Sequence, residues 1–452
     1  MGEEIFTSDG KYMKALVIKL ISNIARNKIS KFKPTIVAVT GSVGKTSTRN
    51  AIAIALGAKY RVRTPYKNYN NEIGLPLAVL GEQSPGKNAW EWLKLLVRAS
   101  KSQDMPEYLV LEYGVDKQGD MAELVKVARP DIAVITAISP VHVSNYPSLD
   151  ALVDEKAALG EAVPHEGLVL LNGDDVRVMG MRKRFVAPVK TYSLSNGDAH
   201  ATDIRLEFPK EESFDVGEVF VITRATIHVG NQSAELVLSN CATASMISAA
   251  LAAAAVAVHV GVPLNDAAKA LSKELQPVNG RLRPLAGIKG SLVLDDSYNA
   301  APASVIAGLE ALQQFTPGTG TSHPVKGGIG GVDRRIAVLA DMAELGSMSE
   351  DEHRTVGEQV AKSADLFVAV GPQMRFATEG AEAAGMERDK IEWFKDSVDA
   401  GRYLDRIIEK GDVILVKGSQ SQRMEKAVKD IMAEPARAAE LLVRQEEKWL
   451  NE

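Results

Sequence analysis

Residues 36–47 read Ile36-Val37-Ala38-Val39-Thr40-Gly41-Ser42-Val43-Gly44-Lys45-Thr46-Ser47. An apolar, β-prone run enters a glycine-bounded turn, and a helical pattern follows Lys45. In such a strand–turn–helix unit the N–H groups of the turn and of the helix N-terminus converge on one point, where phosphate oxygens can be cradled. Gly41, Ser42, Val43, Gly44, Thr46 and Ser47 are therefore candidate phosphate-binding residues. Lys45 would neutralise the phosphates and Thr46 would hold a magnesium ion. The strict P-loop pattern has glycine where this chain has Val39, so a plain strand-to-helix turn stands as the alternative reading.

Around this unit, strand-like runs at 35–40, 108–113, 131–137 and 167–171 alternate with longer helical patterns, as in a parallel sheet covered by helices on both faces. From 186 to 238 the pattern turns β-rich, with a hairpin of 219–229 and 233–238 expected across Gly230-Asn231. Helices are expected at 242–260 and 264–275. A second series begins near Asn279-Gly280-Arg281, with strands at 292–295, 336–340, 366–370 and 413–416, and reads as a separate Rossmann-type unit. The expected fold is α/β: a short N-terminal helical segment (1–33), a central P-loop ATPase-type parallel sheet domain with a β-rich part (34–278), and a C-terminal Rossmann-like domain (279–452). The Gly- and Pro-containing stretch 316–333 predicts a surface loop.

Composition fits this plan. The 452 residues allow two or three domains, and 45% apolar with 25% charged residues excludes a disordered chain. A net charge of −5 gives no general attraction to polyanions, so nucleic acid is not the expected partner. Cys241, the single cysteine, can form neither an internal disulfide nor a thiolate metal cluster. Glu3, Glu4 and Asp9 stand where a signal peptide would be basic, and no run is long enough to span a membrane, so a cytoplasmic location without membrane insertion is expected. Met13, Leu16, Val17, Leu20, Ile21 and Ile24 lie on one face of a helix, with Lys14, Lys19, Arg26 and Lys28 near it. That face predicts packing on the protein itself or a twin subunit, with membrane-surface attachment as the alternative.

Further motifs follow the P-loop in chain order: Tyr69-Asn70-Asn71-Glu72-Ile73-Gly74-Leu75-Pro76, Leu111-Glu112-Tyr113-Gly114, Ile138-Ser139-Pro140-Val141-His142 and Asp154-Glu155-Lys156. The second half adds Asp295-Asp296-Ser297-Tyr298-Asn299-Ala300, Asp341-Met342-Ala343-Glu344-Leu345-Gly346 and Val416-Lys417-Gly418-Ser419. Together with Thr40–Ser47 they resemble the Mur ligase family, its MurF branch in particular, over roughly 34–432.

That resemblance implies an ATP-dependent ligase that makes a carboxylate reactive by phosphorylating it and then lets an amine attack. It implies ATP and magnesium, two ions in all, with a UDP-muramoyl peptide and D-Ala-D-Ala as small-molecule substrates. Glu112, His142 and Lys156 would belong to the metal site together with Thr46. Lys156 would be carbamylated by CO2, which turns a cation into a carboxylate-like ligand. Arg281 would be a hinge arginine reaching ATP; Asp295, Asp296, Tyr298 and Asn299 would contact the nucleotide from across a cleft. Asn70, Asn71, Asp341, Glu344, Lys417 and Ser419 would face the substrates. For the residues taken alone, plain readings stand beside these: a helix lysine paired with Asp154 or Glu155, capping roles for Asp295 and Asp296, and a capped turn at 341–346.

Three departures from the family pattern are visible. Only 33 residues precede the P-loop strand, short of the usual N-terminal domain for the nucleotide sugar. Ser248 or Ala249 stands where an adenine-side Asn is usual, and Gln420 where an Arg is common, with Arg423 as a replacement. A ligase with another carboxylate acceptor, or a nucleotide-binding switch that hydrolyses ATP slowly, are the alternatives to the MurF reaction.

Overall fold

The computed structural model describes residues 8–65, 69–86, 88–139, 145–207, 221–241, 244–315, 334–446 and 449, with side chains from residue 14 onward. The expected loop at 316–333 lies outside them.

The first half is built on nine strands: β1 (Thr35–Thr40), β2 (Val62–Arg63), β3 (Tyr108–Glu112), β4 (Ile132–Ile135), β5 (Leu168–Asn172), β6 (Val189–Tyr192), β7 (Ala199–Glu207), β8 (Ile222–Val229) and β9 (Gln232–Ser239). Their order is β2-β3-β1-β4-β5-β6-β7-β8-β9, parallel as far as β7 and antiparallel beyond. Among the described residues nine α-helices accompany them: α1 (Ser8–Phe32), α2 (Lys45–Gly57), α3 (Gly74–Leu80), α4 (Ala89–Lys101), α5 (Asp120–Val127), α6 (Leu149–Glu161), α7 (Val176–Gly180), α8 (Ala244–His259) and α9 (Leu264–Glu274). The β8–β9 hairpin turns across Gly230-Asn231, with Val229 opposite Gln232.

Strand periodicity explains the layering, because successive side chains leave opposite faces. Val37, Val39, Val110, Ile132, Val134, Leu168 and Leu170 face one way, against α2, α8 and α9. Ile36, Ala38, Leu109, Leu111, Ala133, Ile135, Val169 and Leu171 face the other way, against α1 and α3 to α7. Both faces are covered, so β1, β3, β4 and β5 read as near-continuous apolar runs.

Helix α1 is an integral layer of this half: Ile21 and Ala25 are fully buried against it, and α1 contacts α3, α4 and α5. The apolar stripe read from the sequence nevertheless splits, since Leu16 and Leu20 face outward at 51% and 39% exposure.

The second half carries β10 (Arg283–Ala286), β11 (Leu292–Asp296), β12 (Arg335–Ala340), β13 (Leu366–Val370), β14 (Ile391–Phe394) and β15 (Val413–Lys417) in the order β10-β11-β15-β12-β13-β14. All pairings but β10–β11 are parallel. Helices α10 (Pro302–Gln313), α11 (Ser349–Ser363) and α12 (Met374–Ala383) cover one face, and α13 (Ser397–Ile407) and α14 (Glu425–Ile431) the other. Strands β10 and β14 were not expected. One is a short antiparallel edge and the other, Ile-Glu-Trp-Phe, lacks a clean alternation. Val221, just before β8, and Leu206 of β7 pack into the core of this second half, so the β7–β8 end of the β-rich part joins the two halves.

Leu109 sits in the middle of β3 with no exposed surface. Leu109→Ala should lower the stability of the first half by about 2–5 kcal/mol, the cost of an unfilled cavity. Val186→Ala, at a residue 68% exposed, should stay within about 0.5 kcal/mol. Urea unfolding of both variants measures the contrast.

Candidate active site

In an open parallel sheet the ligand crevice lies at the carboxyl ends of the strands. Here β1 ends at Thr40, β3 at Glu112 and β4 at Ile135, and these three strands are neighbours. The turn after β1 is held by its neighbour: Ser42 N–H donates to Ala137 O, Thr136 Oγ1 donates to Val43 O, and Ser42 Oγ donates to Ser139 O. Gly41 has φ +146°, and a Cβ there would lie 2.0 Å from Thr136 Oγ1, so no side chain fits. Gly44 precedes α2 at φ +85°, and no described side chain caps that helix. The N–H groups of its first turn therefore stand open, the condition for holding an anion.

Lys45 Nζ donates to Gly41 O at 2.8 Å and to Ser42 O at 3.2 Å. The lysine is half-buried and folded back on its own turn. Lys156 Nζ, from α6, donates to the same Gly41 O at 3.0 Å, and its side chain is buried. Neither neighbour in sequence pairs with it: Asp154 binds Arg184, and Glu155 accepts from Gly119 N–H and Met121 N–H at the start of α5. Burial, and then the Lys45 charge, hold the Lys156 amine well below the usual lysine range.

Glu112 balances these cations. Its Oε2 accepts from Thr46 Oγ1 at 2.9 Å and lies 3.5 Å from the Arg49 guanidinium, while Oε1 accepts from Asn70 Nδ2 at 3.1 Å. Burial pushes this carboxyl up, but Lys45, Arg49 and Arg281 outweigh it and keep the group below the ordinary carboxylate range. Arg49 was missed in the sequence, although it stands one helical turn beyond Lys45 and Thr46 and so shares their face of α2. Tyr146 was missed too; its buried hydroxyl has no hydrogen-bond partner among the described residues. Ser47 is half-buried on α2. His142 lies outside the described residues. Among those described, no cluster of three His, Cys, Asp or Glu side chains forms. Thr46 Oγ1 and an ionised Glu112 are nonetheless paired hard oxygen donors, which suit magnesium.

From the second half, Arg281 stacks on the Tyr298 ring at 4.4 Å, and its charge acts on Lys45, Arg49 and Glu112. Several other expected site residues are turned inward. Asp295 is fully buried and accepts from Gly280 N–H and Ser297 N–H, and burial raises its pKa to about 6. Asp296 accepts from Leu282 N–H and pairs with Lys417 Nζ at 2.6 Å, with Lys417 also donating to Asn299 O. The ion pair follows from register, because Asp296 and Lys417 are opposite each other on β11 and β15. In this structure these three charged side chains lock the junction and do not open toward the cleft.

Asp341 accepts from Met374 N–H at the start of α12, and burial raises its pKa. Ser419 Oγ accepts from Ala343 N–H, and buried His353 accepts from Met342 N–H, so the 341–346 segment is a braced turn with Glu344 exposed at φ +65°. Asn71 caps α3 through Ile73 N–H and Gly74 N–H. Arg423 does not replace the arginine absent at Gln420: it pairs with Glu425 at 2.6 Å and lies over Trp449. Ala249 is buried in α8 and Ser248 is half-buried.

Comparison with known proteins agrees with this arrangement. The profile of the Mur ligase middle domain matches residues 39–257, and that of the "Mur ligase, glutamate ligase domain" matches 280–420. The UDP-N-acetylmuramoyl-tripeptide--D-alanyl-D-alanine ligase of Mycobacterium tuberculosis (strain CDC 1551 / Oshkosh) is 32% identical over 402 residues, covering 86% of this chain and 71% of its own. The enzyme of that name from Escherichia coli (strain K12) is 32% identical over 406 residues, covering 87% and 76%. Among solved structures, MurF ligase from Thermotoga maritima in complex with ADP has a TM-score of 0.72 at 24% identity, covering 91% of this chain and 83% of that one, a likeness of fold. With both domain profiles falling on the two sheets and a third of residues shared across most of these relatives, the chain belongs to the Mur ligase family.

Proposed function

We propose that this chain joins D-alanyl-D-alanine to a UDP-N-acetylmuramoyl tripeptide at the expense of ATP, forming an amide bond in peptidoglycan precursor synthesis. The single observation that carries this reading is the cationic cradle at the P-loop: Lys45 on the Gly41 carbonyl, with Arg49 and Arg281 around one ionised carboxylate. Both a triphosphate and a substrate carboxylate are anions, and only an excess of positive charge lets them approach. A nucleotide switch would need the P-loop alone and gives no reason for a buried lysine on α6.

The residues divide the work as follows. The open N–H groups of 41–47 and Lys45 hold the phosphates and stabilise charge on the transferring group. Once the substrate carboxylate has taken the γ-phosphoryl group, the amine of D-Ala-D-Ala attacks the acyl phosphate and phosphate leaves. Thr46 and Glu112 are the residues that would hold magnesium, with His142 proposed beside them; the metal supplies charge stabilisation on phosphate oxygens. Arg49 and Asn70 orient Glu112 for this.

Lys156 is proposed as a carbamate. Only a neutral amine adds to CO2, and the depressed Lys156 pKa supplies that form nearer neutrality than an ordinary lysine does. A carbamate would also remove the repulsion between two ammonium groups at Gly41 O and make room for a second ion. Arg281, at the junction of the proposed domains 34–278 and 279–452, brings charge from the second half. Exposed Asn299 and Glu344 are the expected residues best placed to meet substrate from that half. No helix among the described residues is long and apolar enough to cross a membrane; the cytoplasmic location is proposed from the substrates, ATP and a nucleotide-linked precursor.

Phosphate release should require ATP, the UDP-muramoyl tripeptide and D-Ala-D-Ala together, with a product heavier by the dipeptide in mass spectrometry. Equal release from ATP alone would assign the chain to the switch class. Lys45→Ala should lower turnover by about 10²–10³-fold with little change in melting temperature.

Lys156→Arg should be nearly inactive, because guanidinium keeps the charge and does not take up CO2 in this way. Lys156→Ala should be inactive as well but partly rescued by formate or acetate, which can occupy the vacated carboxylate position. CO2-stripped wild type should lose activity, and added bicarbonate should restore it above the Lys156 pKa but progressively less as pH drops through it and the amine takes up a proton. Wild-type turnover in Lys156→Arg would remove the carbamate from the mechanism.

A further inference from the structure

Nine large apolar side chains are strongly exposed among the described residues, and five lie on two helices that touch each other. Trp90, Leu93 and Val97 on α4 are 63%, 49% and 47% exposed and recur at helical spacing, so they form one outward column. Leu16 and Leu20 form a second column, one turn apart, on α1. Lys28 Nζ reaches Ser102 O and Lys31 Nζ reaches Gln103 Oε1, which fastens the end of α1 beside the end of α4. Scattered apolar residues on a surface need no explanation, whereas a clustered patch of them does.

The charges around this patch indicate what covers it. Lys94, Arg98 and Lys101 form a basic column along α4, and Lys19, Arg26 and Lys31 are exposed on α1. By sequence the two helices hold nine basic and two acidic residues, a local net of +7 in a chain whose total is −5. Glu91 and Glu82 pair with Lys94 and Arg98, and the excess remains positive. A second copy would meet this face with the same charge, which disfavours a twin subunit. Tryptophan and leucine between lysines and arginines match the interface of an anionic bilayer, where the rings enter the headgroup layer and the cations meet lipid phosphates.

We propose that the outer face of α1 and α4 docks the protein on an anionic lipid membrane surface, without insertion across it. None of the exposed residues named here belongs to the P-loop site, so docking and ligase chemistry are separable.

The test is co-sedimentation of the full chain with extruded vesicles of phosphatidylcholine alone or mixed with phosphatidylglycerol. Binding to the anionic vesicles should exceed that to neutral ones by about tenfold and weaken steeply with added salt. Leu93→Glu/Val97→Glu should lose it by about tenfold while keeping the wild-type circular dichroism, melting curve and solution turnover. Lys94→Ala/Lys101→Ala should weaken it without introducing any acidic group, which separates lost attraction from misfolding. Equal binding to both vesicles, no binding to either, or unaltered binding by both variants would overturn the proposal. So would a wild-type dimer in analytical ultracentrifugation that Leu93→Glu/Val97→Glu abolishes without any vesicle binding, since a second copy would then be the occupant.

Discussion

The carbonyl oxygen of Gly41 accepts hydrogen bonds from two lysines that come from opposite ends of the P-loop fold, Lys45 on the helix that follows and Lys156 on α6. Like charges brought this close in a buried place repel, and the arrangement persists because the surroundings fix both ends. The Gly41 turn is tied to β4 through Ser42, Val43 and Thr136, and α6 is tied to the start of α5 through Glu155. The sheet supplies compensation for Lys45 at the end of β3, where Glu112 is kept ionised by Lys45, Arg49 and Arg281. Removal of Glu112 would leave Lys45 and Arg49 uncompensated in a buried place, which is costlier than loss of a surface pair.

The second sheet meets this centre with its charges already committed. Asp296 and Lys417 neutralise each other across adjacent strands, and Asp295 accepts two backbone N–H groups on either side of the junction. Arg444 adds a clasp, donating to Ser297 O, Tyr298 O and Glu425. The junction is therefore stiffened by buried polar contacts, while Arg281 leans on the Tyr298 ring and extends its field toward the P-loop.

Much of this was legible in the sequence where local pattern and chemistry coincide. The strand–turn–helix around Gly41 and Lys45 announces itself, and 35–40, 366–370 and the Gly230-Asn231 hairpin were read almost to the residue. Lys156 was singled out through its motif; its burial and its bond to Gly41 O were not legible there. Register was not legible. Nothing in Leu292–Asp296 alone says that Asp296 stands opposite Lys417, more than a hundred residues later, so two carboxylates that looked ready for a nucleotide prove to be internal. Arg49 could have been found from its spacing to Thr46; Glu155, beside the lysine it seemed to pair with, could not, because its partners are backbone N–H groups of another segment.

The same limit applied to α1, where periodicity gave the helix but not its depth. A stripe of six apolar residues in sequence predicts a single buried face, yet Ile21 is fully buried, Val17 and Ile24 pack only partly buried against the core, and Leu16 and Leu20 face outward. Helix α4 repeats the pattern, burying Leu95 and Ala99 and presenting Trp90, Leu93 and Val97 outward. Burial against α3 and α5 consumes one side of α1, and α4 packs in turn on α1, so the apolar surface that remains has no structural role within the described chain. The acidic balance of the rest of the molecule makes the basic border of that surface a local feature. It therefore reflects a demand made by something outside the chain and not by its core.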